Sequence, residues 1–269
     1  MRILFVSRID PLPPEGGEQI RAWHFAAGLA SEHDVAVVSF VDPDATPDRV
    51  STATDQFRSW RRVDLPEVGE MRSRIHSYAR LQPRFVLHHS TPEFDDALQR
   101  TIVEHEPDVV HVYGLPLAQY IPSMLQRRIP VVLDAMDSWS LRYRRYAREA
   151  GPLSGTAWRA RSLVNARYER WAADLGATIV ASNEADCRAL IAAGSPESRT
   201  MVVKNGVDAV GYFTPAPSEP VTSDLVFVGD MSYAPNADAA ELLISKILPR
   251  VQSSFPAARV VIVGKNPGP

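Results

Sequence analysis

The chain has 269 residues, 45% hydrophobic and 23% charged, close to the averages of folded globular proteins, which excludes a disordered, fibrous or membrane-spanning chain. A formal net charge of −3 and a pI of about 6.2 give no whole-chain reason to expect nucleic acid as a partner. A single cysteine, Cys187, excludes an internal disulfide framework and a cysteine-rich zinc site.

The first apolar run, ILFV at 3–6, is too short for a signal peptide and gives way to Arg8 and Asp10. No later run approaches the roughly 20 residues of a bilayer span, so the expected location is the cytoplasm, with at most peripheral membrane contact. After this strand comes a long loop, SRIDPLPPEGGEQIR, with Gly16 and Gly17 just before a segment of helical period marked by Ile20, Trp23, Ala27 and Ala30. A helix start carries unpaired amide donors, and two glycines let an anion approach them closely. A plain turn into the helix explains the pair equally well. The loop is too long and too rich in proline for the G-x-G-x-x-G turn of NAD enzymes.

Further short apolar runs follow in order: VAVVSF at 35–40, DVVHV at 108–112, PVVLD at 130–134, TIVAS at 178–182 and TMVV at 200–203. Apolar on consecutive residues, they read as strands buried on both faces. Alternation with helical segments predicts an α/β fold with a doubly wound, parallel, Rossmann-like sheet. His111, Tyr113 and Gly114 follow the DVV strand, and Asp134, Asp137 and Ser138 follow the VVL strand. These are carboxyl ends, where open α/β sheets bind ligands. Singly, Asp137 also suits a helix N-cap and His111 a half-buried side chain.

Eight arginines crowd residues 142–170, interleaved with tyrosine and tryptophan. They fit a membrane-facing or phosphate-binding surface. The preferred reading is a solvated face, because Val164, Tyr168, Trp171 and Leu175 form a helical stripe suited to the core. Asn205 and Gly206 in KNGVD suit a tight turn, and Lys204 and Lys265, each just after a strand, suit phosphate or water alike. Residues 208–223 hold Pro215, Pro217 and Pro220 and read as a linker between a domain at 1–207 and a second at 224–269. The second contains a strand, LVFVG, a helix with Ala240, Leu243, Ile244, Ile247 and Val251 on one face, and a strand, RVVIVG. Pro235 stands near the start of that helix, with Asp238 and Glu241 in its first turns. One strand-helix-strand unit cannot cover both faces of a parallel sheet, so it reads as the first third of a domain.

The ordered set PEGGEQIR, PDVVHVYG, VVLDAMDSWS, VASNEADCRAL, VVKNGVDAVGYFTP, FVGDMSYAPNADA and ARVVIVGKNP resembles the GT-B glycosyltransferases, in particular the retaining group called family 4. The resemblance implies an N-terminal acceptor-side domain and a C-terminal donor-side domain with reaction between them. It implies a nucleoside diphosphate sugar as donor substrate, an acceptor hydroxyl, and neither metal nor other cofactor. By motif, Gly16 and Gly17 would meet the donor diphosphate, and His111, Asp134 and Asp137 would be the catalytic, acceptor-side residues. Gly229, Asp230, Met231 and Asn236 would begin the donor side, and Asn205 and Lys265 are counted with them. The family's cations after the first strand of the second domain are replaced here by DMSYAPNADA. Its paired glutamates belong to a later part of that domain, so this chain alone is expected to be inactive. The alternatives are a non-catalytic or split GT-B module that binds acceptor or a partner subunit, and, less well matched in PNADA, a sugar-nucleotide epimerase.

Overall fold

Strands apolar on consecutive residues need cover on both faces, and the first unit of the protein is laid out to supply it. A computed structural model describes residues 1–14, 16–42, 54–69, 73, 77, 79–207 and 224–266. The stretch 208–223 expected as a linker lies outside the described residues. The chain divides into two units, Met1–Val207 and Asp208–Pro269.

In the first unit seven strands form one sheet: β1 (Arg2–Ser7), β2 (Asp34–Val41), β3 (Ser59–Asp64), β4 (Val109–Tyr113), β5 (Val131–Met136), β6 (Thr178–Ala181) and β7 (Thr200–Val202). The order is β3-β2-β1-β4-β5-β6-β7 and each pairing is parallel. This is a doubly wound, Rossmann-like α/β sheet, as expected, and its order reverses between β1 and β4, the switch point where such sheets open a crevice.

The period of two along each strand sorts its side chains onto two faces. Ile3, Phe5, Val35, Val37 and Tyr113 pack with Ala22 and Ala26 of α1 (Gly17–Ala30). Leu4, Val6, Val38, Val110 and Val112 share a larger core with the other helices. A short helix, α2 (Arg84–His88), comes next. Phe94, Leu98 and Ile102 of α3 (Pro92–His105) join this larger core. Thr91 caps α3, its Oγ1 accepting from the Phe94 amide at 3.1 Å, and Pro92 opens the helix where no amide partner is needed. The short α4 (Ile121–Gln126) is followed by two longer helices packed on each other, α5 (Trp139–Glu149) and α6 (Pro152–Asp174). Asn183 caps α7 (Glu184–Ala193) by accepting from two amides at 3.0 Å each, and Cys187 on α7 is buried.

Strand β3 was not among the expected strands. Its sequence, SWRRVD, breaks the apolar run with charge because it lies at the sheet edge. Arg61 reaches Thr101 and Glu104 on α3 at 2.8 and 2.5 Å, and Arg62 covers the Trp60 ring while donating to Asp10 at 2.5 Å.

The second unit pairs β8 (Asp224–Val228) with β9 (Arg259–Val263) in parallel. The single amphipathic helix expected between them is divided: α8 (Ala234–Leu242), a π turn at Leu243–Ile247, then α9 (Leu248–Gln252). Pro249 has no amide to continue the ladder, and the wider turn precedes it. Ala240 is buried as expected, but Ile244 and Ile247 are exposed. Asp238 falls beyond the first turn of α8, which contains no acid.

Candidate functional site

At the carboxyl edge by the switch point, Gly16 is the N-cap of α1 with φ −100° and ψ 154°, ordinary extended backbone. Its amide donates to Oε1 of Gln19 at 3.0 Å. Neither Gly16 nor Gly17 has a positive φ, and a Cβ at Gly17 would meet nothing within 4 Å. The turn into α1 therefore does not itself require the pair. Across the switch point, Gly114 is different: its φ of 107° belongs to the region glycine favours, and a Cβ there would strike the Arg8 side chain. Arg8 in turn pairs with Glu18 in the first turn of α1, and the Tyr113 hydroxyl donates to the Glu18 carbonyl at 2.8 Å.

One turn into α1, Arg21 is buried against a fully buried Asp134. Its Nε and Nη2 donate to Asp134 Oδ2 at 3.2 and 2.9 Å, and its Nη1 donates to Asn205 Oδ1 at 2.7 Å. Asp134 Oδ1 accepts the Met136 amide at 3.0 Å, beside a register shift in β5 where Met136 has φ 59°. Burial raises the Asp134 pKa, and the Arg21 charge acts against that rise. One guanidinium thus joins the glycine helix, the acid of β5 and the Asn-Gly segment after β7.

His111 is the central residue of β4 rather than a residue beyond its end, because the strand runs on through Tyr113. Its ring lies between Phe5 and Phe25, with centroids at 5.1 and 5.3 Å, and its Nε2 is buried with no hydrogen-bond partner among the described residues. Burial first, then the Arg21 charge, lowers its pKa to about 4, so the imidazole is neutral at physiological pH. Asp134 likewise lies within β5, whereas Asp137 is past its end.

Asp137 is half-exposed, accepts from Arg142 Nη2 at 2.8 Å and from Ser182 Oγ at 3.2 Å, and is not the helix cap. Ser138 caps α5, accepting from the Leu141 amide at 3.2 Å. Behind it, the buried Glu169 carboxylate accepts from the Ser140 amide at 2.9 Å, the Ser140 hydroxyl at 2.6 Å and the Ser138 hydroxyl at 3.2 Å. Burial raises the Glu169 pKa and the serine hydrogen bonds oppose the rise. Its position at the start of α5 also complements the helix dipole.

In the second unit, Gly229, Asp230, Met231, Asn236 and Lys265 do come together. The Gly229 and Met231 amides donate to the Val263 and Lys265 carbonyls, each at 3.0 Å. Asp230 accepts from the Ser232 hydroxyl and amide at 2.7 and 2.9 Å and stands 4.0 Å from the Lys265 ammonium. Its pKa is lowered, by the Ser232 hydroxyl first. Asn236 Nδ2 donates to the Asp230 carbonyl at 3.0 Å. A Cβ at Gly264 would overlap the Gly229 carbonyl, so the close approach of the two strand ends requires glycine.

Arg21 and Glu169 are absent from the residues expected from sequence. A signal for Arg21 did exist: a cation one turn into a helix opposes the dipole and calls for an acidic partner. For Glu169 the signal is its place between Asn165 and Ala172 on a stripe of buried small and polar residues. Among the described residues no group of three or more His, Cys, Asp or Glu is placed to hold a metal, and no helix is long and apolar enough to cross a membrane.

Residues 16–206 match the family described as glycosyl transferase 4-like domain. No curated protein matches the chain. Among solved structures, Anabaena HepE in complex with UDP is similar at 16% identity and TM-score 0.52, over 97% of this chain and 69% of HepE. HepE in complex with UDP-glucose is similar at 15% identity and TM-score 0.50, over 99% and 70%. The lipopolysaccharide outer core galactosyltransferase WaaB in its apo form is similar at 12% identity and TM-score 0.50, over 99% and 68%. At such identities the likeness shows a shared fold, the GT-B fold.

Proposed function

The chain belongs to the glycosyl transferase 4-like family, and on that premise we propose that it serves sugar transfer from a nucleoside diphosphate to an acceptor hydroxyl, with retention at the anomeric carbon. The bond from that carbon to the diphosphate breaks, the bond to the acceptor oxygen forms on the same face, and the leaving phosphate takes the acceptor proton. Amide donors and cations fixed where the diphosphate charge develops stabilise this step. The oxocarbenium-like transition state is shared with glycoside hydrolysis, but no carboxylate pair is needed.

The observation that carries the reading is the open backbone at Gly17. The first amides of α1 lack intrahelical partners, the backbone there has no need of glycine, and among the described residues nothing lies within 4 Å of where a Gly17 Cβ would stand. A donor diphosphate at this helix start gives the glycine a purpose. Asp137, with Arg142 and Ser182, lines the acceptor side from the surface. His111 and Asp134 support it from below, Asp134 by fixing Arg21. Gly229, Asp230, Met231, Asn236 and Lys265 begin the donor side, and Asn205, held by Arg21, is counted as donor-binding with them. UDP-glucose, the ligand of the HepE complex, is the donor to try first.

A second reading, a split or non-catalytic module giving no turnover without a partner, draws on the exposed β-strand residues Val226, Val228, Val261 and Val263 of the second unit. Titration of UDP-glucose by NMR separates the readings. For the chain alone the expected dissociation constant is no better than about 1 mM, roughly 4 kcal/mol, without turnover. Gly17→Val should weaken it about tenfold with an unchanged unfolding midpoint, since the added side chain obstructs only the anion. Equal affinity in Gly17→Val removes the helix start from the donor site. Micromolar affinity or turnover by the chain alone shows a complete site and rejects the split reading.

A further inference from the structure

Residues 139–174, the span of α5 and α6, carry eight arginines against three acids in a chain whose net charge is −3. The expected apolar stripe of α6 is only partly buried: Tyr168 is in the core, but Trp171 is 38% exposed. Leu153 is 92% exposed and Leu163 72%. At about 3.6 residues per turn, Leu153, Leu163, Arg167, Arg170 and Trp171 fall within about 100° of one another around the helix. Arg159 and Arg161 on α6 and Arg144, Arg145 and Arg148 on α5 are exposed as well. Beside this face is a cleft of about 310 Å³ bordered by Arg80, Leu81, Arg167, Arg170 and Trp171. Asp174, also at the cleft, is an acid on this face and stands 3.7 Å from Arg170.

Nearby aromatic residues are already engaged. Tyr143 stacks on Trp158 at 5.6 Å, and the Arg161 guanidinium lies over the Trp158 ring, 4.5 Å from its centroid. Trp171 also meets a ring, that of Tyr168 at 5.1 Å between centroids, yet keeps 38% of its surface exposed, and the two leucines are exposed beside it. We propose that this face of α6 docks on a bilayer carrying anionic phospholipid. Leu153, Leu163 and Trp171 enter the headgroup boundary, the guanidiniums meet lipid phosphates, and the cleft takes one phosphodiester headgroup. Charge complementarity selects an anionic partner. The leucines select lipid over nucleic acid, because a polyanion would neutralise the arginines and leave Leu153 and Leu163 in water.

Co-sedimentation of the full chain with phosphatidylcholine vesicles, with and without phosphatidylglycerol, tests this. Binding should require phosphatidylglycerol, fall as ionic strength rises, and resist competition by inorganic phosphate. Trp171 emission should shift to the blue on binding, and Trp171→Phe should lose that shift. L153S/L163S should weaken partition at least tenfold, and R167Q/R170Q about fivefold for each arginine. All four positions are exposed, so melts should be unchanged; if the arginine pair misfolds, the leucine pair and the salt series decide. Equal binding to neutral vesicles, absence of binding, full competition by inorganic phosphate, or an unaffected leucine pair with competition by duplex DNA overturns the proposal.

Discussion

The two units use the same kind of strand for different ends. In the first, Val6, Val38, Val112 and Leu133 are fully buried because helices lie over both faces of the sheet. In the second, Val226, Val228, Val261 and Val263 are exposed although β8 and β9 are as rich in β-branched residues, and Ala240 and Ala258 are the buried apolar residues described there. Sequence sets the strand, but layering sets its worth, since apolar area contributes only when water leaves it.

The sharpest way to break this comparison is to empty the buried polar centre of the first unit. Arg21→Ala leaves Asp134 buried without its cation and should cost about 3–5 kcal/mol in denaturant unfolding. A loss below about 1 kcal/mol would mean that water reaches the pair and that the first unit is open at its centre. Next is pH. His111 has a folded pKa of about 4 against about 6.5 unfolded. As pH falls below about 6.5 the unfolded chain takes up this proton and the folded chain does not. Stability from this group is complete above that value and is lost toward pH 4. Relative to His111→Phe, the native chain should lose about 3 kcal/mol across this window. Parallel curves would show that the imidazole is hydrated.

Smaller effects separate two neighbours at the carboxyl edge. Ser138→Ala removes the cap of α5 and should cost about 0.5–2 kcal/mol, whereas Asp137→Ala gives up a partly exposed ion pair worth about 0.2–1 kcal/mol. If Asp137 serves the acceptor, its variant should also lower turnover with acceptor more than it changes donor binding. Smallest of all, Val228→Thr in the second unit should change stability by no more than about 0.5 kcal/mol. A loss above 2 kcal/mol there would reveal cover on that sheet in solution and erase the contrast.

Strands β1, β2 and β4 to β7 were legible because each is apolar on consecutive residues, and their bounds were read to within a residue or two. β3 was hidden by Trp60, Arg61 and Arg62, whose partners come from α3 and from Asp10 and are invisible in a local window. The divided helix of the second unit was signalled by Pro249, but the pattern of Leu243, Ile244 and Ile247 outweighed it. At the carboxyl edge, the glycine pair, Asp134 and Asp137 stood out by their place after strands. Their partnerships did not: Arg21 meets Asp134 across 113 residues and Glu169 meets Ser140 across 29. Periodicity reports which face a residue occupies, not which charge waits opposite it.

The buried thiol of Cys187 turns the difference between the units into a clock. Only an accessible thiolate attacks a disulfide reagent and displaces its leaving thiolate, and burial both shields this sulfur and raises its pKa. Labelling therefore waits for α7 to lift from the first unit, and its rate counts those openings. Events confined to the second unit leave the signal silent, so one native residue, with no added probe, times the breathing of the first unit alone.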